Sequence, residues 1–163
     1  MIDYDSDGLG IDDITLTPAS DAAIAENATP GAVVGTVAAT DPDAGDAATF
    51  SVSDDRFEVV GGELRVADDA EFDFESEPVV SITVTATDSG GLEAEQGFVI
   101  SVTDVNEAPT ALNLEGGSII ETASAGDTVA DLTVVDPDFG DTHTFEIVGG
   151  GSQRLDAAIV SDP

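Results

Sequence analysis

The sequence predicts an all-β fold: a seven-stranded Greek-key β-sandwich, followed by a truncated second copy of the same unit. Three observations predict it. Apolar and polar residues alternate with period two, most strictly over Val80-Ser81-Ile82-Thr83-Val84-Thr85-Ala86, which puts every second side chain on one face. Turn residues interrupt these runs at intervals too short for the crossover helices of a parallel sheet. Finally, Glu26, Gly31, Val34, Asp41-Pro42-Asp43, Gly45-Asp46 and Phe50 recur as Glu121, Gly126, Val129, Asp136-Pro137-Asp138, Gly140-Asp141 and Phe145, every pair at the same offset of 95. A constant offset marks a tandem array.

The elements follow in order. Ile14 to Thr17 and Ala22 to Glu26 read as a split first strand, Val33 to Ala39 as the second and Ala48 to Ser53 as the third. Arg56 to Val60 and Glu63 to Val66 form a hairpin around Gly61-Gly62, because two glycines reach the positive φ values a tight hairpin turn needs. Val80 to Ala86 is the next strand; Asp88-Ser89-Gly90-Gly91 turns the chain, and Gln96 to Thr103 returns with Phe98, Ile100 and Val102 on one face. Asp68 to Phe74 has room for a short helical turn only. Residues 149 to 163, opening on Gly149-Gly150-Gly151, are expected to be mobile. The resulting divisions are an acidic N-terminal segment 1–12, a first repeat with its linker 13–106, and an incomplete second repeat 107–163.

Composition supports a folded chain and removes several functions. Leu, Ile, Val and Phe make up about 26% of the 163 residues, above the roughly 20% below which high charge predicts disorder. With 35 acidic and 3 basic residues the formal net charge is −32. The only cations are Arg56, Arg65 and Arg154, too few to neutralise phosphates, so nucleic acid is excluded as a partner. An anionic membrane surface repels the chain, and no apolar stretch is long enough for direct membrane insertion. No cysteine, no lysine and a single histidine, His143, leave little catalytic machinery. The chain reads as no enzyme, with His143 an exposed strand-end residue.

The motifs give the acidity a direction. Glu26-Asn27 follows the first strand, then come Asp41-Pro42-Asp43, Phe72-Asp73-Phe74-Glu75, Asp88-Ser89-Gly90 and the proline-ended linker Asp104-Val105-Asn106-Glu107-Ala108-Pro109. This ordered set resembles the cadherin-like repeats of bacterial surface proteins, whose immunoglobulin-like sandwiches carry Glu-Asn, Asp-x-Asp, Leu-Asp-Arg-Glu, Asp-x-Gly and Asp-x-Asn-Asp-x-Pro signatures in that order. The resemblance implies a calcium cluster at the junction between repeats. The first repeat would supply Glu26, Asp73 and Glu75, the linker Asp104, Asn106, Glu107 and the carbonyls of Val105 and Ala108, and the second repeat Asp136 and Asp138. Two departures stand out: Glu107 replaces Asp, and Phe72 and Phe74 replace Leu and Arg. A third ion's ligand in the second repeat, the counterpart of Asp88, would fall at position 183.

Charge counting points the same way. Glu26, Asp73, Glu75, Asp104, Glu107, Asp136 and Asp138 gather seven negative charges about one linker, and calcium takes six to eight hard oxygen ligands, so two or three Ca2+ ions would neutralise most of them. The alternative is that these acids only solvate strand ends. A second candidate site lies at the other end of the first repeat, where Asp5 or Asp7 would join Asp41, Asp43 and Asp88. Asp3-Tyr4-Asp5-Ser6-Asp7-Gly8 matches the first half of an EF-hand loop, but Ile14 stands where the bidentate Glu belongs.

The function expected is that of a calcium-stiffened spacer or adhesion module in an extracellular, cell-surface protein. Its partners would be calcium ions, neighbouring repeats of the same chain, and surface proteins or polysaccharide. A carbohydrate-binding module is the alternative, weakened because sugar stacking wants exposed Trp or Tyr and the chain offers Tyr4 alone.

Overall fold

The computed structural model describes residues 10–19, 22–41, 47–151 and 154–161, with side chains described through residue 146. By internal contact the chain divides into two compact units, Met1–Val105 and Asn106–Pro163. Among the described residues there is no helix, and all regular structure is strand.

Unit 1 contains two four-stranded sheets. One has β1 (Asp13–Pro18), β3 (Val33–Thr40), β6 (Glu63–Val66) and β5 (Phe57–Val60) in the order β1-β3-β6-β5. The other has β2 (Ala23–Ala25), β8 (Glu93–Thr103), β7 (Val79–Thr87) and β4 (Thr49–Val52) in the order β2-β8-β7-β4. The split first strand is therefore real and serves both sheets. Its first half pairs antiparallel with β3, with Leu16 opposite Val37, and its second half pairs parallel with β8, with Ile24 opposite Val102.

The alternation read from the sequence decides which residues the sheets enclose. Val80, Ile82, Val84 and Ala86 of β7 are buried together with Ile100 and Val102 of β8, Ile14, Ile24, Val34, Val37, Phe57, Leu64 and Val66. Each such Val, Leu, Ile or Phe side chain contributes roughly 1.5–3 kcal/mol by leaving water. Phe98 packs against this core half-buried. Gly61 and Gly62 close the β5–β6 hairpin at φ of 62° and 82°, as a two-residue turn with positive φ at both positions requires.

Two expectations are corrected. Residues 68–74 form no helical turn: Asp69 sits at φ 62°, which breaks a right-handed helix, and the backbone runs irregularly to a turn at 74–76. Of residues 149–163, expected to be mobile, 149–151 and 154–161 are instead paired in a hairpin of β11 (Thr144–Gly151) and β12 (Arg154–Ser161), from Gly149 opposite Asp156 to Gly151 opposite Arg154, while 152, 153, 162 and 163 lie outside the described residues.

Unit 2 repeats part of unit 1 in its backbone. β9 (Ala111–Gly116) pairs antiparallel with β10 (Ala130–Val135), as β1 does with β3, and β11 begins 95 residues after β4. Gly31 and Gly126, also 95 apart, both adopt positive φ, 80° and 99°.

Candidate metal centre

In unit 1 the acidic motifs converge on Glu26. It leaves β2 with its backbone N–H donated to the Thr103 carbonyl, so its side chain starts beside the end of β8. Its two carboxylate oxygens accept separate backbone donors: Oε1 from Val105 N at 2.6 Å and Oε2 from Phe74 N at 2.9 Å. One side chain, only 8% exposed, thus ties together the exit of β2, the acidic loop at 72–77 and the first residues of the linker. Charge-assisted bonds of this kind are about twice as strong as neutral ones.

The rest of the unit 1 set is arranged around that tie. A carboxylate oxygen of Glu75 lies within 4.8 Å of one on Glu26, and another Glu75 contact of the same range reaches Asp104. Oxygens bound to one calcium at 2.3–2.6 Å lie up to about 5 Å apart, so each of these pairs is close enough to share a hard divalent cation. Glu75 and Asp104 are exposed and open to solvent exchange. Asp73 is exposed too, and its carboxylate accepts from Ser76 N at 3.0 Å and Ser76 Oγ at 2.7 Å. The Ser76 hydroxyl, with the backbone N–H, holds the Asp73 carboxyl below its ordinary range.

A basic residue that the motif reading passed over anchors the loop. Arg56 Nη1 reaches Glu77 Oε2 at 2.8 Å and Nη2 reaches Asp54 Oδ2 at 2.7 Å. Its guanidinium lies 5.2 Å from the Phe72 ring centre, and Phe72 packs on Phe57 at 5.5 Å. Where the resemblance placed an Arg inside the acidic motif, this chain has Phe74, and a guanidinium arrives from the start of β5 instead. The signal was available: among 35 acids, 3 arginines are each worth following.

At the far end of unit 1, Asp88 is buried and accepts from Leu92 N through Oδ1 at 2.7 Å, fixing the β7–β8 turn. Asp41 ends at the rim of β3. Asp5, Asp7 and Asp43, the remaining members of the second candidate site, lie outside the described residues.

Unit 2 holds the other part of the set. Glu107 N donates to Asp138 Oδ2 at 2.6 Å, and Asp138 N donates to Asp136 Oδ1 at 3.0 Å. Asn106 bonds locally, its Nδ2 to the Glu107 carbonyl at 3.5 Å, and Asn106, Glu107 and Ala108 are exposed while Val105, at the end of unit 1, is half-buried. His143 is not the exposed residue expected: its side chain is 9% exposed and Nε2 sits 2.6 Å from Asp136 Oδ2. The alternation that put Thr142 and Thr144 outward leaves His143 on the side of the aspartates. Asp141, which the motif reading did not select, offers a carboxylate oxygen within 4.8 Å of those of Asp136 and Asp138.

Fold and acidic motifs together define a cadherin-like domain, and the comparisons with known proteins agree. No family model matches the chain. Curated relatives include Protocadherin-16 of Rattus norvegicus, 36% identical over 72% of this chain, and Cadherin-23 of Homo sapiens, 32% identical over 76% of it. The chain spans about 4% of the length of each of these relatives. Among solved structures, human Protocadherin-24 EC1-2 superposes with a TM-score of 0.64 at 24% identity, covering 78% of this chain and 61% of that one. The Protocadherin Gamma B7 extracellular cadherin domains 1-4 superpose with a TM-score of 0.60 at 21% identity, over 92% of this chain and 41% of that one. These structures speak to the fold alone. The relatives are cadherins and protocadherins, not enzymes.

Proposed function

We propose that the chain is a calcium-stiffened repeat module of an extracellular adhesin, of the bacterial surface type that Glu107 in the linker resembles. The observation that carries the reading is the tie at Glu26: a buried carboxylate bonded to both Phe74 N and Val105 N, with Glu75 and Asp104 oxygens gathered within 4.8 Å of a neighbour. The side chains gathered there are carboxylates of like charge. Left alone, Glu26, Asp73, Glu75 and Asp104 repel one another and the linker they flank.

Bound calcium would supply positive charge and six to eight oxygen bonds, coupling side chains that otherwise repel. Glu26, Asp73, Glu75, Asp104, Asn106, Glu107, Asp136 and Asp138, with the Val105 and Ala108 carbonyls, are the residues proposed to hold it. The seven-stranded Greek-key description and the division into repeats 13–106 and 107–163 belong to the same reading. Two four-stranded sheets sharing a divided first strand support it, as does the β9–β10 pair. An extracellular location follows because millimolar calcium is found outside cells and not within them.

Small-angle scattering of the chain with millimolar calcium and with EDTA tests the mechanical part. The expected result is a chain that is stiffer with calcium; flexibility independent of calcium would overturn the spacer role. Polysaccharide affinity electrophoresis in the same two conditions is expected to show no retardation.

A further inference from the structure

We propose that Arg56 is a positioning residue for the 72–77 loop: without touching an ion, it holds Asp73 and Glu75 in the arrangement that binds one. The proposal rests on the calcium reading above and adds to it a residue that is no ligand. Arg56 grips the loop at both ends. Nη1 donates to Glu77 Oε2 at 2.8 Å beyond the two acids, and the guanidinium lies 5.2 Å from the ring centre of Phe72 before them. Asp73 and Glu75 fall between these contacts in the chain.

Arg56 is itself fixed. Its Nε and Nη2 donate to the two oxygens of Asp54 at 3.1 and 2.7 Å, the two-pronged bond that a planar guanidinium makes and a lysine does not. Its backbone N–H donates to Asp54 Oδ1 at 3.0 Å, and its carbonyl accepts from Ala67 N at 2.9 Å. The Phe72 ring rests on Phe57, a core residue. Inside the loop, Glu77 N donates to the Asp73 carbonyl at 2.8 Å, so the residue Arg56 holds by its carboxylate holds the backbone of Asp73 in turn. Protein groups alone thus connect the sandwich core to the acidic loop. Ordering a loop costs conformational entropy, and a loop ordered in advance leaves less of that cost to the binding step.

Charge and positioning predict opposite signs for this residue. A guanidinium near a cation site repels the cation, so as a bystander Arg56 would weaken calcium binding and its removal would strengthen it. As a positioning residue it strengthens binding, and its removal weakens it.

The test uses the full chain and calcium chloride. Titration calorimetry compares wild type, Arg56→Ala, Arg56→Lys and, as a control, Arg65→Ala, whose carboxylate partner is Glu63 on the same strand. Arg56→Ala is expected to bind calcium about tenfold more weakly, the lower end of what losing a group that orients metal ligands costs. Arg56→Lys should fall between it and wild type, with Arg65→Ala unchanged. Amide shifts of residues 74–77 in EDTA should differ between Arg56→Ala and wild type, and the difference should shrink at saturating calcium, when ions hold the loop. Affinity of Arg56→Ala equal to or above wild type would overturn the proposal and leave the calcium reading standing, and an amide difference undiminished at saturation would overturn it too. No heat in the wild type would remove both. If Arg56→Ala fails to fold, Arg56→Lys decides: it keeps the charge without the two-pronged grip, so weaker binding supports the proposal and wild-type binding overturns it.

Discussion

Ile24 and Ile119 occupy equivalent places in the two units, 95 residues apart, yet Ile24 is 6% exposed and Ile119 61%. In unit 1, β2 pairs with β8, and β7 and β8 carry half of the core across from Leu64 and Val66. In unit 2 the pairs β9–β10 and β11–β12 reproduce strand pairing, but among the described residues no counterpart of the β7–β8 pair is present. Leu114, Ile120, Val135 and Phe145 are likewise exposed. The lesson is that the strand pattern in the sequence dictates local pairing, whereas burial requires a second sheet.

The largest expected effect sharpens that comparison. Ile24→Ala should cost about 2–5 kcal/mol in denaturant unfolding, the usual loss for a core isoleucine, while Ile119→Ala should stay within about 0.5 kcal/mol. Equal losses would mean that unit 2 buries Ile119 in solution. Next comes the same comparison between Glu26 and Glu121. Glu26→Gln leaves an amide facing two backbone donors and should cost about 1–3 kcal/mol, whereas Glu121, exposed in unit 2, should tolerate the change.

A smaller effect is expected at the arginines. Arg56→Ala removes two ion pairs and the contact with Phe72 and should cost about 1 kcal/mol; Arg65→Ala, with one partner in Glu63 at the surface, should be near neutral. Similar values for the two would deny Arg56 its role as anchor of the 72–77 loop. The smallest concerns acid. Side-chain bonds from Arg56 hold the Asp54 carboxyl below its ordinary 3.8, so the folded chain binds that proton less readily than the unfolded one. The stabilisation is complete above pH 3.8 and is lost as pH falls through the lower folded value. Compared with wild type, Asp54→Asn should show a shallower loss of stability in this acid window; parallel curves would contradict the assignment.

Much of the fold was legible because its information is local. Strict alternation over 80–86 gave β7, Gly61-Gly62 gave the hairpin, and the 95-residue offset gave the relation between β4 and β11. The acidic set was legible as ordered motifs, but Arg56, His143 and Asp141 were not. Arg56 acts on Phe72 and Glu77 across 16 and 21 residues, and no spacing rule links them. His143 is turned inward by its neighbours, and Asp141 is brought to Asp136 and Asp138 by one turn at Gly140. These are tertiary facts, absent from composition and periodicity.

Differential scanning calorimetry in EDTA and in millimolar calcium tests the central claim most directly, since an ion that binds only the folded chain adds RT ln(1 + [L]/Kd). That amounts to about 4 kcal/mol at a thousandfold excess over Kd. The account predicts a marked rise in the melting temperature with calcium, reversed by EDTA. Superimposable melting curves would contradict it, and would leave the acidic residues about Glu26 and Asp138 as solvated strand ends.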